Sequence, residues 1–267
     1  MPSRAAKADA PAAAGTVSAL ERGIAVLRCF NEDVASLSNA ELSLRTGIPK
    51  PTVTRLAATL VSLGMLQQHA ETERFSLAAG VVSLARAFLA NVDVRAVARP
   101  HMVRLAESLG GAAYLAVRDG AHMVLIEIAR SRAASLRSHH ELGTRIEIGT
   151  SALGRACLAA IAERDPAHHA QLMTELAAYY GARWDAVQAG LQQARSDYQA
   201  HGYCISLGEV TPDIHSLAVP LAGAHGEPMA INFGGPGFVL TENHLRTVVA
   251  PPLLQAAAAI ARDIGGA

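Results

Sequence analysis

Residues 38–66, SNAELSLRTGIPKPTVTRLAATLVSLGML, constrain this chain most, because they spell two short helices around a tight turn. Ser38 and Glu41 have the capping-box spacing, in which the Ser oxygen takes an orphan N–H of the first turn and the Glu reaches back to the cap. A helix is therefore predicted from about Asn39. Gly47 can take the left-handed conformation that closes it, and Pro49 and Pro51 forbid its continuation. Pro51 suits the first position of a second helix, with Lys50, being before a proline, as its extended cap. Val53, Leu56, Leu60 and Leu63 recur at helical spacing and predict a buried stripe ending at Gly64. Thr52, Thr54, Arg55, Ala58, Thr59 and Ser62 share the opposite arc, a face of hydroxyls and one guanidinium that fits a DNA major groove. A small helical hairpin with a solvated polar side is the plainer reading of the same spacing.

Residues 66–69 and 74–77 read as two short strands around the polar turn 70–73, which extends the motif to a winged helix-turn-helix. Here the chain resembles the IclR family of bacterial transcriptional regulators. The resemblance rests on SALERGIAVLRCF, ELSLRTGIPKPTVTRLAATLVSLGML and RFSLAAGVVSLA in the N-terminal third. It continues in ELGTRIEIGTSALGRACLAA and GEVTPDIHSLAVPL farther on, and covers residues 17–264. It implies a ligand-responsive regulator with a GAF-like effector-binding domain. Positions matching the family's effector contacts are Ile146, Ala152, Leu153, Ser206, Ser216, Asn232 and Gly234. Asn232 and Gly234 stand where relatives often carry serines, and Asp213 where they often carry glycine.

The 267 residues accommodate two modest domains. The expected organisation is a disordered tail at 1–15, a winged helix-turn-helix at 16–78, a linker helix at 79–92 and an effector domain at 93–267. Lys plus Arg and Asp plus Glu are both 23, so no global basic field advertises nucleic acid. Residues 1–90 carry nine basic against seven acidic groups, which leaves part of any phosphate binding to helix N-termini and backbone amides. The expected DNA contacts are Lys50, Thr52, Thr54 and Arg55 at bases or adjacent phosphates, with Arg22, Arg45 and Arg74 positioning the backbone. Glu71 and Glu73 make the wing less basic than is usual in the resembled family.

Ser18 and Glu21 repeat the capping-box spacing, and Leu20, Ile24 and Leu27 predict a supporting stripe on the first helix. Val81, Leu84, Ala85 and Phe88 line one side of the linker helix and would be exposed alone, so a homodimer or a dimer of dimers on a palindromic site is expected. From Val94 a helix with Ala98, Met102, Leu105 and Leu109 on one side runs to Gly110-Gly111. Strands are predicted at 112–117 and 122–129 around Arg118-Asp119-Gly120, then at 134–139, 145–148, 203–207, 215–221 and 229–233. Helices are predicted at 152–162, 166–176 with Asp165 as cap, 185–201, and from Thr241 on, the last broken or kinked at Pro251-Pro252. Segregated helices and strands argue α+β.

Residues 149–154, where a strand gives way to a helix, offer free N–H groups suited to a carboxylate. The plainer reading is that Ser151 or Thr150 caps the helix while Gly149 and Gly154 relieve crowding. His139, His140, Cys204, Glu209 and His215 could converge, but without metal-ligand spacing, so no metal is expected. Neither G-x-S-x-G nor G-x-x-x-x-G-K-[ST] occurs, so no enzyme activity and no cofactor are expected. Three cysteines without a C-x-x-C pair fit reduced thiols in a cytoplasmic protein, and no charge-free run of membrane-spanning length is present. The expectation is a DNA-binding regulator, with repression as its mode, answering to a small organic effector such as a carboxylate or aromatic acid. The alternatives are a metabolite-binding or catalytic protein whose N-terminal helices serve only for assembly, and a redox sensor using Cys157 or Cys204.

Overall fold

The computed structural model describes residues 17–132 and 140–265. The tail at 1–15 and the strand expected at 134–139 lie outside them. The chain divides into two compact units, Met1–Ala90 and Asn91–Ala267.

The first unit contains α1 (Ser18–Leu27), α2 (Asn39–Thr46), α3 (Lys50–Ser62), the hairpin β1 (Leu66–Gln68) and β2 (Phe75–Leu77), and α4 (Gly80–Ala90). The α2 capping box forms as read: Ser38 Oγ accepts from Glu41 N–H, and Glu41 accepts from Ser38 N–H at 2.7 Å. Gly47 closes α2 at φ +70°. Val26, Phe30, Leu37, Leu42, Ile48, Val53, Ala57, Leu60, Leu66 and Phe75 form one core beneath the two central helices and the wing.

Four local readings need correction. Ser18 is not a cap: Val17 is, without a side-chain bond, because its carbonyl already accepts from Leu20 and Glu21 N–H. On α1 the buried positions are Gly23 and Val26, while Leu20 and Ile24 are 66% and 41% exposed. The α3 helix starts at Lys50, not Pro51, with Pro49 as cap. Its buried stripe is Val53, Ala57 and Leu60, whereas Leu56 is half-buried and Leu63, at the C-cap, is exposed. Ala57 takes the place in the core that two leucines were expected to share.

The second unit is a six-stranded antiparallel sheet in the order β5-β4-β3-β8-β7-β6. Its strands are β3 (Ala112–Asp119), β4 (His122–Arg130), β5 (Arg145–Glu147), β6 (Cys204–Leu207), β7 (Ile214–Ala222) and β8 (Pro228–Pro236). Gly120, at φ +60°, turns the β3–β4 hairpin. One face packs on α5 (Asp93–Leu109) and α10 (Ala250–Gly265). The other packs on α6 (Ala152–Arg164), backed by α7 (Pro166–Tyr180) and α8 (Trp184–His201). The last helix is not broken at Pro251-Pro252. After Thr241 caps α9 (Glu242–His244), a π-helical turn at Leu245–Val249 leads straight into α10. The carbonyls four residues before the two prolines belong to Thr247 and Val248, inside that wider turn, where the missing N–H bonds and the ring clash are absorbed.

A Cβ added at Gly154 would overlap the Ile148 carbonyl, and one at Gly149 would overlap Val187 and Tyr180. The glycines therefore let α6 cross tightly over the end of β5. Gly154→Ala is expected to destabilise the second unit by about 1–3 kcal/mol or more, since backbone cannot retreat as a flexible side chain can. Urea unfolding followed through Trp184, the single tryptophan, measures it.

Candidate DNA-reading face and effector site

On α3, the exposed side runs through Thr54, Arg55, Ala58, Thr59 and Ser62, with Thr52 half-buried beside it. Its hydroxyls are not equivalent. Thr54 Oγ1 accepts from Asn39 Nδ2 at 2.6 Å and donates to Lys50 O, tying α3 to α2. Thr59 and Ser62 bond back to the Arg55 and Thr59 carbonyls. Lys50, Thr52 and Arg55 make no side-chain hydrogen bond among the described residues, so their polar groups stay available.

The supporting arginines also divide. Arg22 is exposed on α1, but Arg45 donates to Cys29 O at 3.2 Å. Arg74 donates to Ser36 Oγ at 3.0 Å and Ser36 O at 2.9 Å, and pairs with Glu41 at 3.0 Å. Arg74 thus fastens the wing to the start of α2. The Ser38 N–H, the Ser38 hydroxyl and Arg74 together hold the Glu41 carboxyl down at about 2.

In the second unit, register gathers the expected effector positions. Ser206 on β6 pairs Ser216 on β7, Ser216 pairs Gly234 on β8, Gly234 pairs Ala112 on β3, and Ala112 pairs Arg130 on β4. Directly paired residues point to the same face, so these five form one row across five strands. The next row on that face is Cys204, Ala218, Asn232, Tyr114 and Ile128. Ala112, Tyr114, Cys204 and Ala218 share a core with Ile146, Ala152 and Leu153, which identifies this as the α6 face. Ser206, Ser216, Asn232 and Gly234 therefore fall in two adjacent rows of the face that α6 covers, whereas Ile146, on the same face, pairs Met123 nearer the β3–β4 turn.

Above it the strand-to-helix turn is tightly held. Ser151 Oγ accepts from Gly154 N–H at 3.1 Å and caps α6. Gly149 N–H donates to Tyr180 Oη at 2.9 Å, and burial pushes the Tyr180 hydroxyl up to about 12. Ser206 Oγ donates to Thr150 O at 2.9 Å, tying the turn to the floor. The plainer reading of residues 149–154 is thus satisfied in detail. Asn232, only 7% exposed, carries a buried Oδ1 without a hydrogen-bond partner. Asp213 sits at φ +67°, which accounts for a preference for glycine at that position.

Sequence reasoning passed over Arg130, Tyr114 and Arg155. Arg130 ends β4 and bonds the His140 carbonyl and Glu141; only its register with Ala112 reveals its place. The His140 ring meets Tyr114 edge-on at 6.2 Å. Arg155, 7% exposed, donates to Gly149 O at 3.2 Å and Ile205 O at 3.1 Å, and clasps both carboxylate oxygens of Glu209. It lies inside a quoted stretch, yet as one arginine on a helix it gave no signal. The metal candidates are separately engaged: Glu209 by Arg155, His215 by the Leu240 carbonyl at 2.8 Å, and Cys204 by the Ala194 carbonyl at 3.3 Å. Among the described residues no group of three possible ligands converges; His139 lies outside them. A separate cavity of about 180 Å³ between the end of α6 and the β7–β8 turn is lined by Cys157, Ile161, Arg164, Leu221 and Met229, away from the serine row.

Residues 19–70 match the IclR helix-turn-helix domain, and residues 86–262 the bacterial transcriptional regulator IclR C-terminal domain. The chain belongs to the IclR family of bacterial transcriptional regulators. It is 29% identical to the HTH-type transcriptional regulator TsaQ1/TsaQ2 of Comamonas testosteroni, over 90% of this chain and 86% of that one. The HTH-type transcriptional repressor AllR of Escherichia coli is 32% identical over 58% of this chain and 57% of its own length. A crystal structure of an IclR family transcriptional regulator from Brucella abortus superposes with TM-score 0.84 at 35% identity, over 93% of this chain and 92% of that one. An IclR homologue from Microbacterium hydrocarbonoxydans, complexed with 4-hydroxybenzoate, shares the fold at TM-score 0.70 and 21% identity, over 94% and 100% of the two chains. This IclR-family chain is a transcriptional regulator rather than an enzyme, with a DNA-binding unit and a ligand-binding unit of the family's fold. Among the described residues no helix is long and apolar enough to cross a membrane.

Two expected outcomes follow from these environments. A folded Glu41 value depressed from 4.5 to about 2 makes a contribution to stability that is present above 4.5 and lost as pH falls towards 2. Carboxyl-detected NMR titration of Glu41 checks it, and a midpoint near 4.5 would refute the assignment. Burial raises both the Cys157 and Cys204 thiols to about 12, so neither should alkylate with iodoacetamide at pH 8 until the unit unfolds, while half-buried Cys29 reacts first. Fast native labelling of Cys157 or Cys204 would revive the redox alternative.

Proposed function

We propose that this chain is a cytoplasmic repressor that binds a palindromic operator as a homodimer, or as a dimer of dimers, and is controlled by a small organic acid. The observation that carries the DNA half is the α3 face, where Lys50, Thr52 and Arg55 keep their polar groups uncommitted while Thr54 and Arg74 brace the motif. In this reading Arg55 reads a base, Lys50 and Thr52 contact bases or adjacent phosphates, Thr54 adds a neighbouring contact, and Arg22, Arg45 and Arg74 position the backbone. The exposed apolar groups Leu20 and Ile24 of α1, and Val82, Leu84 and Phe88 of α4, support pairing with a second copy. Repression is the mode named for the AllR relative.

The effector half rests on the sheet face under α6, which carries Ser206, Ser216, Asn232 and Gly234 in two adjacent rows and shares its buried cluster with Ile146, Ala152 and Leu153. A few hydrogen-bonding groups among apolar walls suit a small molecule, and the unpartnered Asn232 amide is a polar group left for it to satisfy. The homologue complexed with 4-hydroxybenzoate supports an aromatic acid as the effector class. Regulation requires that the ligand bind one quaternary arrangement more tightly than another.

Footprinting of DNA upstream of the chain's own gene and the neighbouring operon tests the reading. Two protected half-sites about one helical turn apart, weakening with salt, are expected. Arg55→Ala should weaken the specific site by about 5- to 150-fold and relax preference at one base pair per half-site. Unchanged affinity and preference would place the reading face elsewhere.

A further inference from the structure

We infer that Arg130 is the anion-binding pole of the effector site, and that the site selects a flat aromatic carboxylate lying across the Gly234–Ala112 floor with its acid group towards β4. The inference rests on the effector reading above and deepens it. In the row Ser206–Ser216–Gly234–Ala112–Arg130 the two central positions carry no side chain and one methyl group. For two strands between the hydroxyl pole and the guanidinium pole the floor therefore carries no bulky side chain. Ser216 and Arg130 lie three strands apart, about 14 Å at the spacing of strands. The arginine side chain spans part of that distance, and what remains is about the length of a single-ring acid. Asn232, Tyr114 and Ile128 stand along the adjacent row of the same face, adding an amide with an unpartnered Oδ1, an aromatic and an aliphatic side chain.

The charge arrangement points the same way. Arg130 is one-third exposed, and its partners are the His140 carbonyl and the Glu141 carboxylate, itself 63% exposed. Its Nε–H is buried without a hydrogen-bond partner. An exposed pair of this kind is worth little in water, so an incoming carboxylate can replace Glu141 at small cost and gain a charge-assisted, bidentate contact. Glu141 then acts as the resident competitor for Arg130. Its segment would feel the exchange directly, because Glu141 N–H donates to Thr144 Oγ1 at 3.0 Å, and Gly143 N–H and Thr144 O bond Leu125 on β4. A ligand bound only through the amides at the start of α6 would draw on neither Arg130 nor Glu141.

Calorimetric titration of the full-length protein with benzoate, 4-hydroxybenzoate and the neutral isostere 4-hydroxybenzamide tests the assignment. The wild-type chain should prefer the acid over the amide by about tenfold or more. Arg130→Gln should abolish that preference and Arg130→Lys restore part of it. Glu141→Gln should tighten acid binding while leaving the amide unchanged, a gain that a merely structural role for the pair does not produce, and it keeps the test valid if Arg130→Gln fails to fold. The inference is overturned if Arg130→Gln keeps the preference for the acid, if Glu141→Gln does not tighten it, or if no probe binds the wild-type chain. Operator protection without binding of any probe removes this inference and leaves the DNA reading standing. Selective acid binding without operator protection does the reverse.

Discussion

The pairing of β3 with β8 is the constraint on which the second unit depends. It joins residues 112–117 to 229–234, across more than a hundred residues of chain, and merges two separate hairpins into one sheet. A slip of one residue would send every side chain of one hairpin to the wrong face. Packing fixes the register: Phe233 is fully buried, and its ring fills the space a Cβ on Gly111 would need. With that contact in place, Gly234 falls opposite Ala112, Asn232 opposite Tyr114, and Ser206, Ser216 and Arg130 come into one row with Gly234 and Ala112 between them.

The α6 start exploits the same economy of side chains. Gly149 and Gly154 bring a helix N-terminus down onto the end of β5, and Ser151, Tyr180 and Arg155 then satisfy most of the backbone groups this close crossing exposes. Two N–H groups of that first turn, those of Ala152 and Leu153, find no acceptor among the described residues, so the cap and the anion-site reading of this segment stand side by side. Further groups with spare hydrogen-bonding capacity lie on the sheet below it, at Asn232 and Arg130.

In the first unit the corresponding constraint is the capping box. Glu41 bonds Ser38 N–H and pairs with Arg74, so one carboxylate ties the start of α2 to the wing. Asn39 reaches Thr54 and ties α2 to α3. Two groups that look like DNA contacts in a linear reading, Thr54 and Arg74, thereby also hold the motif together, and among the described residues Lys50, Thr52 and Arg55 are the α3 groups of that set left without a side-chain hydrogen bond.

Local chemistry made much of this legible in the chain alone. Ser38 with Glu41, Gly47, Pro49 and Pro51 dictate where α2 stops and α3 begins to within a residue, because caps and prolines act over one turn. Gly110 and Gly120 mark the entry to the sheet for the same reason, and the quoted stretches were enough to name the family. What only the tertiary structure decided is which of several adequate choices each residue took. Leu63 and Leu20 are as apolar as Leu60 and Val26, yet lie outside the core, since burial depends on where other elements pack. Pro251 and Pro252 signal a break that a preceding π-turn absorbs. Arg130 shows no pattern along the chain, because its place beside Ala112 and Gly234 comes from pairing between strands far apart in sequence, and no local rule carries that information.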